Sequence, residues 1–130
     1  MSHPTLLISG SALASPWGLA LAPASFGEFG GDLLVGNFSF VESEINAFDP
    51  ATGALRGTLP ITQGNNMPGG LWDITFGNGV TGRLDTLYFA AGINGEVNGL
   101  FGALAVPEPA TFALLCVGLA TLGFTRRRTA

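Results

Sequence analysis

Apolar and small residues alternate in short runs along residues 16–105, and glycine, proline or aspartate bounds each run. In "SPWGLALAP", Trp17, Leu19 and Leu21 alternate with small residues, a pattern typical of a strand with one buried face. We therefore expect these three large side chains to face the core. After a glycine-rich turn, "DLLVGNF" has the length and apolar character of a second strand.

The stretch "EINAFDPATGALRGTLPI" predicts a hairpin. Asp49-Pro50-Ala51-Thr52-Gly53 is a turn sequence, because proline presets the first turn residue and glycine accepts a positive φ. The apolar residues on either side then form an outgoing and a returning strand. The first block of the chain is thus predicted to contain four antiparallel strands in sequence order.

The same order of elements starts again near residue 70. "GLWDITFGNG" matches the strand that contains Trp17, "DTLYFAAG" matches "DLLVGNF", and "GLFGALAV" supplies a third strand. Trp17 and Trp72 are 55 positions apart, and four-stranded repeats of about 40–50 residues are the mark of propeller blades. The sequence therefore predicts an all-β fold, in which residues 1–105 form antiparallel four-stranded blades of an incomplete β-propeller. "TLLISG" near the N-terminus is predicted to be the last strand of a preceding blade.

One full blade and two partial ones do not close a propeller, which typically has about 4–8 blades. An open blade exposes an apolar face and a strand edge, and both favour pairing with other chains. We expect the chain to be the C-terminal portion of a longer protein, or to complete itself by association. Its first residues have neither a basic region nor a sustained apolar region, so they make a poor secretory signal.

Residues 106–130 differ sharply from this body. Residues 110–125 are uncharged and would form about 24 Å of helix, against a bilayer core of about 30 Å. Pro107 and Pro109 set where that helix begins. We predict one C-terminal hydrophobic helix at about 110–125 that crosses a membrane. On physical grounds alone, it is either a permanent anchor or a signal that is later removed.

Three arginines close the chain and define the expected membrane topology. Arg126, Arg127 and Arg128 should hold the C-terminus in the cytoplasm and leave the body outside. Cys116, the only cysteine, lies within the apolar run, where we interpret it as a small apolar side chain.

The tail resembles a known bacterial signal. Val106-Pro107-Glu108-Pro109-Ala110, the apolar run and the terminal arginine cluster resemble the PEP-CTERM sorting signal in order and position. The resemblance implies that the tail is held in the inner membrane, recognised there by an exosortase (a membrane protease-transpeptidase) and removed. It assigns the recognition role to Pro107, Glu108 and Pro109. It also implies a destination at the cell surface or in the extracellular matrix, usually in Gram-negative bacteria that make exopolysaccharide and biofilm.

The body resembles an uncharacterised family of exported bacterial propeller-like proteins. The resemblance rests on "SPWGLALAPASFGEFGGDLLVGNFS", "INAFDPATGALRGTL", "GLWDITFGNG" and "DTLYFAAGINGEVNGLFG". It implies the propeller fold and a chain that covers only the C-terminal part of longer members. It implies no particular activity.

Charge excludes one class of partner. The nine acidic residues all precede the terminal arginines, and only Arg56 and Arg83 oppose them there. Residues 1–125 therefore carry a net charge of −7, of which the body, residues 1–105, carries −6. A body without a basic stripe does not neutralise phosphates, which argues against nucleic-acid binding. The expected partners are the exosortase, the membrane, and exopolysaccharide or other surface proteins.

Few residues suggest chemistry. One cysteine and the lone His3 do not make a disulfide or a structural zinc site, and no catalytic or nucleotide-binding motif occurs. We predict no catalytic residue and no cofactor. Asp73, beside Trp72, is the first candidate for a metal ligand near a propeller axis, although one carboxylate is not a metal site. Glu42 and Glu44 are interpreted as a solvated strand face rather than an acid/base pair.

Other polar residues are assigned to local structure. Asp32 and Asp49 are expected to cap turns, "GNG" at 77–79 is expected to be a hairpin turn, and Asn37-Phe38-Ser39 fits the N-x-S acceptor pattern.

Two functions of different class follow. The first is a non-enzymatic surface or matrix protein whose body binds a carbohydrate or a protein. The second is a lactonase- or lyase-like propeller enzyme with its site on blades absent from this chain. The first is favoured because no acid/base constellation is present in the predicted blades.

Overall fold

The computed structural model describes residues 3–38, 44–61, 70–105 and 114–120. Seven strands form two antiparallel sheets, each in simple chain order. The first sheet contains β1 (Pro16–Leu21), β2 (Leu33–Asn37), β3 (Glu44–Phe48) and β4 (Leu55–Pro60). The second sheet contains β5 (Leu71–Phe76), β6 (Thr86–Ile93) and β7 (Asn98–Ala105). The predicted strands of both blocks, their antiparallel pairing and the mostly-β class are confirmed.

The two sheets pack face to face, with β1 and β2 against β5. Small and aliphatic side chains of both sheets fill the space between them. The buried cluster includes Leu34, Ile45, Ala47, Leu71, Ile74, Leu87 and Phe89. This cluster is the core of the protein. Two sheets do not by themselves make a propeller, so the propeller stays a prediction from the repeat.

The prediction for the faces of β1 is wrong. Trp17, Leu19 and Leu21 are 56%, 63% and 64% exposed, whereas Gly18 is buried and faces the second sheet. A β-carbon at Gly18 would lie 2.8 Å from the backbone nitrogen of Ile74, closer than such atoms approach in proteins. The sheets approach so closely here that the small residues of β1 must face inward. The alternation was read correctly, but the buried face is the opposite one.

Residues 3–15 cover part of the outer face of the first sheet, and they do so without forming a strand. The predicted blade-ending strand in "TLLISG" is therefore wrong. Asparagine side chains on the sheet hold this segment in place. The amide of Asn37 accepts from the backbone N–H of Ala14 (3.0 Å) and donates to the carbonyl of Ala12 (3.1 Å). Asn46 also donates to the Ala12 carbonyl, at 2.7 Å.

These contacts decide the role of Asn37. Its side chain is buried, and both its amide oxygen and its amide nitrogen are engaged. A buried, hydrogen-bonded amide is not accessible for glycosylation in the folded protein. Asn37 is thus a structural residue that fastens residues 12–14 to the sheet.

The Asp49–Gly53 turn forms as predicted. Oδ1 of Asp49 accepts from the backbone N–H groups of Thr52 (2.9 Å) and Ala51 (2.8 Å), and Gly53 has φ +73°. Asp32, in contrast, does not act as an exposed turn cap. It is buried, with Oδ2 3.8 Å from Nε of Arg56.

We expect the Asp49 cap to make stability depend on pH. The backbone N–H groups of Thr52 and Ala51 lower the pKa of Asp49 in the folded protein. The stabilisation is therefore present above the ordinary carboxyl pKa of about 4 and is lost as the pH falls through the lowered folded value. Asparagine does not ionise, so the Asp49→Asn variant lacks this pH-dependent stabilisation. The wild type should have the higher Tm at about pH 6, and this difference in Tm should narrow as the pH falls to about 3. Thermal unfolding followed by circular dichroism checks this, and a pH-independent difference would contradict it.

The tail is described only at residues 114–120, which form a helix, α1. Its side chains are exposed, among them Leu114, Leu119 and Cys116. Within the part of the chain that the structure describes, no helix is long and apolar enough to cross a membrane. The predicted membrane-crossing helix at 110–125 is thus not confirmed. The rest of that helix and the predicted recognition and topology residues (107–109 and 126–128) lie outside the described residues.

Candidate ligand-binding groove

Three aromatic rings meet where the two sheets join. Trp17 lies on β1, Phe38 follows β2, and Trp72 lies on β5. The centroids of the Trp17 and Trp72 rings are 4.8 Å apart, and those of Phe38 and Trp72 are 5.2 Å apart, both in edge-to-face geometry. Such pairs contribute about 0.5–1.5 kcal/mol beyond their buried area. The tryptophans that marked the repeat in the sequence therefore touch in space, because β1 and β5 pack together.

An acidic side chain is held against this cluster by an unusual turn. Between β6 and β7, Asn94, Gly95 and Glu96 all have positive φ, at 55°, 66° and 69°. This conformation is uncommon for residues other than glycine and costs about 1–3 kcal/mol in a constrained setting. The turn brings the carboxylate of Glu96 against the backbone of Gly92.

Two hydrogen bonds fix the Glu96 carboxylate. Nε1 of Trp72 donates to Oε2 at 2.7 Å, and the backbone N–H of Gly70 donates to Oε1. Bonds to an ionised acceptor are stronger than neutral ones, so they offset the cost of the turn. Sequence reasoning did not single out Glu96. The signal was the "INGEVNG" stretch, where Asn-Gly predicts positive φ, but nothing local shows that the next residue reaches Trp72.

A groove of about 610 Å³ runs beside Trp72 and Glu96. Its floor is shallow because small residues of β6 and β7 pair across the sheet, including Gly92 with Gly99. The lining residues that shape it are Trp72, Ala90, Gly92, Glu96, Val97, Asn98, Gly99 and Phe101. The volume lies within the range of about 300–1,000 Å³ that is typical of small-molecule sites.

The groove offers apolar ring faces next to polar atoms. Trp72 is 41% exposed and Phe101 is 73% exposed, so both rings present a surface to solvent. The indole N–H of Trp72 is occupied by Glu96, and the exposed part of the ring lines the groove. Each carboxylate oxygen of Glu96 keeps a further acceptor position, and Asn98 adds an amide. This combination suits a ligand with an apolar face and a rim of hydroxyl groups.

Asp73, the candidate metal ligand, does not line the groove. Asp73 is exposed, and its Oδ1 accepts from the backbone N–H of Ile74 at 2.8 Å. Within the described ranges, no three His, Cys, Asp or Glu side chains lie close enough together to hold a metal ion. Of the two glutamates predicted to form a solvated face, Glu44 contacts Asn46 at 3.4 Å, and Glu42 lies outside the described residues.

The second functional feature is the tail. It consists of a Pro-Glu-Pro triplet, an uncharged apolar stretch that contains α1, and an arginine cluster. Residues 105–128 match the PEP-CTERM protein-sorting motif. The predicted signal is thereby confirmed. PEP-CTERM motifs imply recognition by an exosortase, a transient stage at the membrane, and an extracellular or surface destination. The motif therefore implies an exported protein that is sorted by an exosortase.

No match of the body to a known protein accompanies the PEP-CTERM motif. Neither a curated protein nor a solved structure matches the chain. The resemblance of residues 1–105 to an exported propeller-like family is thus not supported by any relative. What the body does has to be argued from its own groove.

Proposed function

We propose that the protein is a non-enzymatic binding module of the cell surface or extracellular matrix, and that it binds a neutral carbohydrate in the Trp72–Glu96 groove. The observation that carries this proposal is the placement of the exposed rings of Trp72 and Phe101 along a groove that also holds the Glu96 carboxylate. The PEP-CTERM signal brings this groove outside the cell, where polysaccharides are abundant. In the repeat-based interpretation, the groove lies on the outer face of the second blade of an incomplete propeller.

Sugar chemistry fits the groove in two ways. A pyranose ring has an apolar C–H face, which packs on an aromatic ring, and a rim of hydroxyl groups, which need hydrogen-bond partners. Trp72 and Phe101 supply the apolar surface, and Glu96 and Asn98 supply polar atoms. A fixed carboxylate loses little side-chain entropy on binding, because its hydrogen bonds already hold it in place.

Charge selects among carbohydrates. The body has a net charge of −6, and Glu96 places one of these negative charges directly at the groove. Polymers of uronic acids would be repelled by this field. A neutral glycan keeps the stacking and the hydrogen bonds without that repulsion, so we infer a neutral ligand.

A binding role is supported over an enzymatic one by the composition of the groove. Glu96 is the only ionisable side chain among its described lining residues. Hydrolysis of a glycosidic bond by carboxylates uses a pair of them, one on each side of the scissile bond.

For the tail, we propose removal by the exosortase rather than permanent anchoring.

Phe101→Ala is expected to weaken glycan binding about tenfold, which corresponds to about 1.4 kcal/mol. Phe101 is exposed, so its truncation removes ligand contact without opening the core. Hexasaccharides of glucose, galactose and mannose should be tested by isothermal titration calorimetry. Leu84→Ala is the matched control, since Leu84 is also largely exposed but lies outside the groove.

Two results would contradict the proposal. One is that none of the neutral hexasaccharides binds the wild-type protein. The other is that Phe101→Ala and Leu84→Ala bind as tightly as wild type. An oligouronate of the same length serves as the charge control and is expected to bind at least about tenfold more weakly.

A further inference from the structure

The second sheet ends on an open edge. β7 pairs with β6 on one side, and no described strand pairs with its other side. β7 is eight residues long and contains no charged residue and no proline, the two features that commonly protect edge strands from further pairing. In the first sheet, β4 occupies the corresponding fourth position. The repeated strand order therefore leaves a place for one more strand beside β7.

The chain that follows β7 is poorly suited to be this strand. The PEP-CTERM match begins at residue 105, and the next residues include Pro107 and Pro109. Proline lacks the N–H that a strand ladder requires. In the first sheet, the Asp49–Gly53 turn returns the chain as β4, whereas no turn sequence of this kind follows β7. A strand beside β7 would therefore come from a segment other than the one that directly follows it.

Residues 4–9 have the character of a strand without a partner. Their sequence, PTLLIS, is apolar and uncharged, and its single proline is the first residue, where a strand tolerates it. Leu6 is 78% exposed, and Leu7 is exposed as well. These residues belong to no strand and make no hydrogen bond within the described part of the chain. The Leu7 carbonyl and the half-buried Ile8 side chain lie against Gly53, and the other residues of the segment are exposed to solvent.

Residues 4–9 do not reach β7 of the same molecule while hydrogen bonds hold the Ala12 carbonyl in place. Asn37 and Asn46 hold the Ala12 carbonyl on the outer face of the first sheet, and the second sheet packs on the opposite face. Packed layers are about 10 Å apart, so the segment would have to cross about 20 Å. Residues 10 and 11 span only about 7 Å. Pairing therefore needs a second copy of the chain.

We propose that residues 4–9 of one copy add to the free edge of β7 in a second copy, as the fourth strand of its second sheet. A groove of about 400 Å³ lies between β4 and β7 and is lined by Leu59, Pro60 and Leu104. Alternate side chains of the added strand fill it. Because the donating and accepting surfaces differ, the contact is head-to-tail, and its repetition produces an open chain or a ring.

A single substitution in the donor tests this proposal. Leu6→Pro removes a backbone N–H from the donated strand, whereas Leu6→Val keeps a strand-forming side chain. Leu6 is exposed, so neither change should disturb the fold, which circular dichroism verifies. Sedimentation velocity of the full chain in mild non-ionic detergent measures association, and the unchanged tail makes any tail-driven contribution common to all variants.

The wild-type protein and Leu6→Val are expected to form oligomers whose mass rises with concentration. Leu6→Pro should require at least about tenfold higher concentration for the same association. A synthetic peptide of residues 3–10 in excess should dissociate the wild-type oligomers, and the same peptide with proline at position 6 should not. Equal association of wild type and Leu6→Pro would overturn the proposal, as would a wild type that remains monomeric at about 100 µM. Glycan binding uses side chains on the outer face of the second sheet, including Phe101 of β7, whereas strand addition uses the backbone of that strand. Leu6→Pro changes no groove residue and Phe101→Ala changes no donor residue, so the two proposals are tested by separate variants.

Discussion

Replacing Pro107, Glu108 and Pro109 together by alanine is expected to abolish processing of the tail in a host that contains the exosortase. The PEP-CTERM motif includes this triplet, to which we assign recognition by the exosortase. The uncharged run that follows is unchanged, and hydrophobicity drives membrane association. The variant should therefore accumulate as a full-length precursor in the membrane fraction, whereas the wild-type protein should reach the surface without Arg126–Arg128. Intact-mass spectrometry of both fractions measures the difference.

Two controls separate recognition from membrane topology. In a host without the exosortase, the wild-type protein should behave like the alanine variant. Replacing Arg126, Arg127 and Arg128 by alanine removes the topology signal and should disturb membrane orientation while the Pro-Glu-Pro triplet remains intact. A surface-located wild-type protein with an intact C-terminus would instead show a permanent anchor. Normal processing of the triple-alanine variant would exclude the triplet as the recognition element.

Leu34→Ala is expected to lower the free energy of unfolding by about 2–5 kcal/mol, the range for large-to-small changes in a packed core. Leu34 is fully buried on β2 and faces the second sheet. Leu19 lies beside it on β1, pairs with Val35, and points away from the core. Leu19→Ala should therefore cost less than about 1 kcal/mol. The two variants remove the same atoms from adjacent strands, so the difference between their free energies of unfolding shows whether the face of β1 that carries Leu19 is buried.

Urea unfolding of the two variants, followed by tryptophan fluorescence, measures this difference. The tail is identical in both proteins and does not affect the comparison. Equal losses of stability, or a larger loss for Leu19→Ala, would contradict the assignment of Gly18 and Ala20 to the buried face. Periodicity in the sequence favours that contrary result, which makes the pair a direct test of the structure.

The strands were predictable because their signals are local. Each depends on a few adjacent residues, such as the apolar run of β2 or the Asp49–Gly53 turn, and these signals hold in any context. The direction of the β1 side chains was not predictable in this way. Alternation shows that a strand has two different faces, but the face that is buried depends on how closely β5 approaches. At Gly18 that approach leaves no room for a side chain.

The candidate site was predictable only in part. The repeated tryptophans were visible, but their contact depends on the packing of β1 on β5. Glu96 is 24 positions from Trp72, and their hydrogen bond depends on three successive positive φ angles in one turn. Asp73 was favoured because it adjoins Trp72, yet its carboxylate accepts from the backbone N–H of Ile74 and it does not line the groove. Proximity in sequence was therefore a poor guide to proximity in the groove.

By itself, the sequence determined the strand order, the four-plus-three repeat and the route of the protein out of the cell. Strands and turns depend on short-range dihedral preferences, and a sorting signal is a linear motif. Only the tertiary structure decided which face of β1 is buried, that Asn37 fastens residues 12–14, that Glu96 meets Trp72, and that no described strand pairs with the outer edge of β7. Each of these features arises between residues far apart in the chain, where distance is set by the packing of sheets and not by the sequence between them.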